Sequence, residues 1–298
     1  MQYRSKVHED KNANYHTPEP KYDLMDQNYF KNALVAMNNL VARANTKWTL
    51  EETKLFLCAL SKVKTRDQDN WVMMPKRDIL KTLGIDATNA SKLRQKFANV
   101  VKKSYLQIDG PTEEEWFDGV LLTSVKSTKK EIGVKFNDEY LPLLDQLDTH
   151  FTEFYLDQIT SLTHKASYNL YVYLVSWYNK AYQKNIVQIP KKNLDKIFNL
   201  KPGQYWRDYD DPDKRKFDWH LFEKYALIPA VAEINGRVTC DLEIHQFNKV
   251  KDGKFVLGYE FEYDFHDELD IIQDPRHQDS KKVSLIPPHE VIEEVTSK

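Results

Sequence analysis

Between residues 217 and 265 the apolar positions change period once, from about 3.6 to 2. In KFDWHLFEKYALIPAVAEIN, Phe217, Leu221, Tyr225, Ile228 and Val231 recur at helical spacing and predict an amphipathic helix lying on a core. Its other side carries Lys216, His220, Glu223 and Lys224. Pro229 cannot donate to the helical ladder and should break or kink the helix near its middle, so only the first two turns need reach outward. Then Cys240, Leu242 and Ile244 alternate with Asp241, Glu243 and His245. Beyond a Lys251-Asp252-Gly253-Lys254 turn, Phe255, Leu257, Tyr259, Phe261, Tyr263 and Phe265 alternate with charged or small residues, which predicts a hairpin. Helix, strand, turn and strand in this order end a winged helix. Such a pair suits duplex DNA, because a helix fills the major groove while a hairpin reaches neighbouring phosphate or minor groove. The plainer alternative is any α+β domain.

The first half has the same grammar. Residues 29–43, with Leu34, Met37, Leu40 and Val41 at helical spacing, predict a first helix. Thr49-Leu50-Glu51-Glu52 fits a capping box and opens an apolar helix through Phe56, Leu57, Leu60 and Val63. A short strand over 71–74 precedes a helix led by Pro75 and stopped by Gly84. Next, NASKLRQKFANVVKKSY buries Leu93, Phe97, Val100 and Val101 and displays Lys92, Arg94, Gln95, Lys96, Lys102 and Lys103. Strands follow over 105–109, 120–125 and 131–136. Residues 137–147 and 154–182 lead into the second unit, where YNLYVYLVSWYNKAY reads as a core helix. A strand over 186–189, a Pro-led helix over 190–200 and a polar loop over 204–216, with Lys214 and Arg215 near its end, complete the parallel. The expected fold class is α+β, two tandem winged-helix domains with pseudo-twofold internal similarity. Their expected bounds are 29–147 and 148–265, between tails at 1–28 and 266–298 that lack a sustained apolar period.

A net charge of −2 looks wrong for a DNA binder until it is placed along the chain. Both tails are acidic on balance, and the middle carries about three net positive charges. Residues 76–104 hold eight basic against two acidic side chains, the steepest local charge in the protein. A solvated helix face would show the same charge run, but its place before a hairpin, twice in one chain, points to a nucleic-acid surface. Cys58 and Cys240 lie far apart in apolar patterns and read as reduced core residues of a cytoplasmic protein. No apolar run nears the roughly 18 residues of a membrane span.

The stretches NALVAMNNLVARANTKWTLEETKLFLCALSKV (32–63) and FDWHLFEKYALIPAVAEIN (217–235), the latter backed by the GKFVLGYEFEY strand, resemble the plasmid replication initiators with tandem winged-helix domains. These initiators bind repeated origin sequences called iterons, and the resemblance covers about residues 29–265. It implies a protein that binds iterons as a monomer to start theta-type replication. It also implies a homodimer that represses its own promoter at an inverted repeat, and host replication proteins as partners. Groove-facing positions fall at 216–224. Relatives often carry an arginine cluster after the buried aromatic, whereas Glu223, Lys224 and Tyr225 follow Phe222 here. Glu223 would either accept from cytosine or be solvated.

Other classes fit less well. A nicking initiator needs a metal held by paired histidines beside a tyrosine nucleophile, and none of the nine histidines forms a His-x-His pair. A helicase needs a phosphate loop ending in Gly-Lys-Ser/Thr, while Gly253-Lys254 is followed by Phe255. No Cys/His spacing suits structural zinc, so no metal or cofactor is expected. A transcription regulator of the same fold stays open. Within the initiator reading, Lys216, Trp219, His220 and Lys224 should read bases, while Lys92, Arg94 and Lys96 anchor phosphates. Trp116, Phe117, Val120, Leu121 and Leu122 offer more apolar residues than one hairpin face needs and are candidates for a dimer surface; the alternative is that they pack on the 29–43 segment.

Overall fold

The computed structural model describes residues 29–30, 33–44, 46–109, 116–145, 151–178, 185–211, 213–236 and 241–265. The expected tails and Cys240 lie outside them. Where sequence spacing predicts a first helix, the chain instead forms a strand, β1 (Leu34–Asn38), and only a short α1 (Asn39–Arg43). Val35 and Met37 are buried and Leu34 faces out, a period of two. A strand partner from beyond the first unit overrides the local helical spacing, because both edges gain a backbone ladder.

The first unit then runs α2 (Leu50–Leu60), β2 (Trp71–Pro75), α3 (Lys76–Thr82) and α4 (Ala90–Lys102). It continues through a ribbon of β3 (Tyr105–Asp109) and β4 (Trp116–Val120) to β5 (Leu122–Ser127) and β6 (Glu131–Phe136). The capping box forms as predicted: the Glu52 amide donates to Thr49 Oγ1 at 3.2 Å and the Thr49 amide to Glu52 Oε2 at 2.8 Å. Gly84 ends α3 at φ 62°, a left-handed conformation that glycine adopts at little cost. Val120 closes β4 instead of opening a strand over 120–125, and Leu121 is the corner between β4 and β5. Its amide donates to the Ser104 carbonyl and its own carbonyl accepts from the Asn137 amide, each at 3.0 Å. The sheet order is β2-β6-β5.

After α5 (Pro142–Asp145), the second unit opens with β7 (Phe151–Tyr155) and α6 (Leu156–Thr160). It continues with α7 (Lys165–Val175), β8 (Asn185–Pro190) and α8 (Lys191–Ile197). A two-residue ribbon of β9 (Trp206–Arg207) and β10 (Lys216–Phe217) gives the expected polar loop an ordered base. The third helix follows as α9 (Trp219–Phe222), a π turn (Glu223–Leu227) and α10 (Ile228–Asn235). The long hairpin of β11 (Leu242–Asp252) and β12 (Phe255–Phe265) ends the unit, and its sheet order is β11-β12-β8. Each unit is thus helix, strand, helix, helix and hairpin, with the last strand central in the sheet. That is winged-helix topology in tandem.

The leaders of the two units hold them together. β1 and β7 pair antiparallel, Leu34 opposite Tyr155 and Asn38 opposite Phe151. Lys54 Nζ donates to the Thr160 and Leu162 carbonyls at 2.7 and 2.6 Å, so α2 closes the end of α6. Arg43 donates to Ser176 Oγ at 2.8 Å and to its carbonyl at 2.6 Å, with the guanidinium 3.8 Å from the Trp177 ring centre. Lys165 Nζ donates to Thr53 Oγ1 at 2.6 Å, and burial lowers its ammonium to about 7. The core runs through both units without a break, and Tyr168 and Leu170 to Leu174 of the predicted core helix lie in it, with Tyr171 fully buried; the helix ends at Val175, Trp177 is 37 % exposed, and residues 179–182 lie outside the described residues.

Candidate nucleic-acid interface

The third helix of the second unit starts at Trp219, because Asp218 caps it: its Oδ1 accepts from the Leu221 amide at 3.1 Å. The Arg207 guanidinium holds the other carboxylate oxygen at 2.5 and 2.6 Å. The Leu221 amide and then Arg207 keep Asp218 below the usual carboxylate range. Phe217, expected on the helix, is instead a strand residue opposite Trp206.

Pro229 does not break the helix. A π turn precedes it, in which the Ile228 amide reaches back to the Glu223 carbonyl, so the missing proline donor is absorbed by a wider turn. The buried face differs from the one the spacing predicts. Phe222, Leu227, Ala230 and Ile234 face the core, while Leu221, Tyr225 and Ile228 are 38, 60 and 51 % exposed. His220 and Lys224 share that open side. Glu223 does not. Its carboxylate accepts from Lys249 Nζ at 3.0 Å and from the Tyr259 hydroxyl at 2.8 Å, which ties the helix to both strands of the hairpin. Trp219 is half-buried, its ring 4.7 Å from Phe217 and 5.6 Å from Tyr259, so it supports the helix more than it projects from it. Lys214 is engaged by Asp211 at 2.8 Å, Arg215 lies 5.8 Å from the Trp206 ring, and Lys216 is exposed. Lys191, not singled out from sequence, sits 4.6 Å from the Trp206 ring and 4.5 Å from that of Phe217.

The hairpin overshoots its sheet. β8 pairs with β12 only between Gly258 and Tyr263, because β8 ends at Pro190 opposite Gly258. Alternation predicts Phe255 and Leu257 to be buried with Tyr259, yet past Gly258 the pairing with β8 has ended and only β11 runs alongside, and they are 64 and 46 % exposed. A side chain at Gly258 would collide with the Ile189 carbonyl, so glycine permits the close crossing where the wing leaves the sheet. Exposed Lys251 and Lys254 flank the tip.

In the first unit, α4 buries Leu93, Phe97 and Val100 and exposes Lys92, Arg94, Gln95 and Lys102. Gln95 Nε2 donates to Asn99 Oδ1 at 3.1 Å. Lys96 pairs with Glu51, and Lys103 Nζ donates to both oxygens of Glu52 at 2.8 Å. Burial would raise the Glu52 carboxyl, but Lys103 and the Thr49 amide outweigh it and hold it low. Of the basic face predicted from sequence, two lysines are therefore engaged by α2.

Of the five residues expected at a dimer surface, two are buried within the first unit, as the alternative of packing on the 29–43 segment would have it for Leu121. Leu121 and Leu122 are each 1 % exposed. Leu121 lines a cavity with Met37, Val41, Trp48, Phe56 and Tyr168, where the corner packs inward. Val120 is 37 % exposed, and the side chains of Trp116 and Phe117 lie outside what the structure describes. Among the described residues no three His, Cys, Asp or Glu side chains are grouped to hold a metal ion, and no helix is long and apolar enough to cross a membrane.

Fold and site together define a tandem winged-helix protein whose third helices expose Lys92, Arg94 and Lys102 in the first unit and His220 and Lys224 in the second. Residues 34–175 match the model of the family described as "Initiator Replication protein, WH1". Among solved structures, the chain is similar to the Pi initiator protein in complex with iteron DNA, at 17 % identity and a TM-score of 0.59, over 80 % of this chain and 99 % of that one. That likeness extends the shared fold beyond the family segment. Domains 2 and 3 of RctB match at 13 % identity and a TM-score of 0.42, over 76 and 86 % of the two chains, too distant a likeness to argue from. No curated protein matches the chain in sequence.

Proposed function

We propose that this chain is a replication initiator that binds directly repeated origin sequences, with α9–α10 in the major groove and α4 on neighbouring phosphates. The observation that carries this is the repetition within the fold: two units of one topology, each with an exposed third helix ahead of its hairpin, Lys92, Arg94 and Lys102 outward in the first and His220 and Lys224 in the second. A pair of such helices spans about two turns of duplex, or roughly 20 base pairs, which fits repeats of that period. The match of residues 34–175 to the initiator family model supports replication over transcriptional control alone. The reading includes repression of its own promoter by a dimer. Burial removes Leu121 and Leu122 from that dimer surface and leaves the β3–β4 ribbon, where Tyr105 and Val120 are exposed, to carry it.

The function follows from binding and assembly, without bond-breaking chemistry. The test is replication of a small plasmid carrying the DNA that flanks the gene, with the intact chain supplied in trans, together with a footprint on that DNA in excess chelator and no nucleotide. Replication and protection of direct repeats are expected. Protection of a lone operator without replication would leave a transcription regulator. Nicking of supercoiled DNA, or loss of the footprint in chelator, would overturn the non-catalytic reading.

A further inference from the structure

The exposed side of α9–α10 is unusual for a DNA-facing helix in being as apolar as it is basic. Leu221 and Tyr225 are one turn apart, Ile228 lies just beyond the π turn and is rotated from them by it, and all three are exposed. The core does not need them, since Phe222, Leu227, Ala230 and Ile234 already fill the opposite side. Three large exposed apolar side chains on one short helical segment call for something to cover them. Their surroundings say what it is: His220 and Lys224 lie among them on the helix, exposed Lys216 precedes the helix on β10, and exposed Lys251 and Lys254 lie at the tip of the adjoining wing. An apolar patch among cations suits a polyanion with an apolar group in its recessed face. In the major groove of DNA that group is the C5-methyl of thymine.

We infer that Leu221, Tyr225 and Ile228 read thymine methyl groups, so that sequence selectivity has an apolar component directed at A·T pairs. The inference rests on the proposed binding of DNA by this helix and adds which bases it prefers and through which atoms. His220 and Lys224, among these side chains, are free for guanine edges or phosphates beside the thymines. Tyr225 sits beside Lys224, whose ammonium is 5.0 Å from its ring, which places an apolar and a charged group side by side.

The probe is the duplex that the full chain selects from a randomised library, resynthesised with deoxyuridine in place of thymidine one position at a time. Uracil pairs as thymine does and lacks only the methyl. Affinity should fall about fourfold at each contacted position, the effect of one apolar carbon returned to water, and the losses should multiply for separated positions. The L221A and I228A variants alter exposed positions and should keep the wild-type melting temperature. They should lose affinity for the thymine duplex while binding the uracil duplex as the wild type does. Equal affinity of the wild type for both duplexes would overturn the inference and leave the initiator reading standing. So would a uracil effect that persists in full in the L221A/I228A double variant, since the methyls would then act through DNA shape. If the double variant binds the thymine duplex unchanged, the patch serves a protein partner and the inference falls. Failure to select any duplex would sink both readings.

Discussion

The two third helices occupy the same place in the same topology and present different chemistry. The exposed side of α4 is wholly polar, with Lys92, Arg94, Gln95 and Lys102 outward and Lys96 and Lys103 drawn back by Glu51 and Glu52 of α2. The exposed side of α9–α10 mixes His220 and Lys224 with Leu221, Tyr225 and Ile228, and Glu223 locks it to a wing that projects past its sheet. Charge alone suits phosphates, which are alike at every base pair. Apolar and polar groups in fixed order suit base edges, which differ. One fold thus lends itself to holding DNA in one copy and to reading it in the other, and the difference lies in the surface of a single helix.

The largest expected effect concerns a second contrast between the units, the β3–β4 ribbon that only the first inserts between its third helix and its hairpin. Its corner, Leu121, is sealed inside the first unit. Leu121→Asp should therefore destabilise the protein by about 3–5 kcal/mol, because a carboxylate would be buried without a partner. Differential scanning calorimetry would show it. A variant with native melting but weakened self-association would restore the corner to the surface and break the contrast.

Lys103 and Lys224 separate the helices more finely. Lys103→Ala leaves Glu52 nearly buried without its partner and should cost about 1–3 kcal/mol of stability, read from urea unfolding, with little change in sequence preference. Lys224→Ala should leave stability alone and cost about 1–3 kcal/mol of affinity for the specific duplex, with random DNA hardly affected. If both variants lost specific and random binding alike, the proposed division of labour would be wrong.

What was legible in the sequence followed from short-range physics. The Thr49–Glu52 capping box, the Gly84 stop and the alternation of Tyr259, Phe261 and Tyr263 each depend on a few neighbouring residues, and each appears as expected. What was not legible depended on distant partners. β1 is a strand only because β7 lies beside it, and Leu221 and Tyr225 are exposed because Phe222 meets an aromatic cluster built from Tyr205, Phe217 and Tyr259, and Leu227 is buried with it. The stripe Phe222, Leu227, Ala230 and Ile234 includes a five-residue step, which a search at helical spacing passes over and a π turn makes possible. In the same way the charge count of α4 could not reveal which lysines α2 would claim.

The seam between the units should respond to pH. Burial holds Lys165 at about 7, below its value in an unfolded chain, so the folded protein binds fewer protons between about 7 and 10.5. The cost of burying its charge is felt in full below that window and is relieved as pH rises through it. Thermal stability should then increase from pH 7 toward 9, and Lys165→Met should flatten the rise. A wild-type melting curve that falls over that range, with no difference in the variant, would contradict the burial of this ammonium between α2 and α7.

The smallest expected effect is the sharpest test of the comparison, because it asks whether exposure predicts phosphate contact within one helix. Lys92 is exposed on α4, whereas Lys96 is held by Glu51 one turn further on. A free lysine on a phosphate releases about one counterion, so Lys92→Ala should lower the slope of log affinity against log salt by about one on any DNA sequence. Lys96 carries a carboxylate with it, and the pair is near neutral to a distant phosphate, so Lys96→Ala should change the slope by less. Glu51→Ala should then free Lys96 and steepen the slope. A Lys96→Ala effect as large as that of Lys92→Ala would mean that DNA outcompetes Glu51, and that α4 binds with its full row of charge.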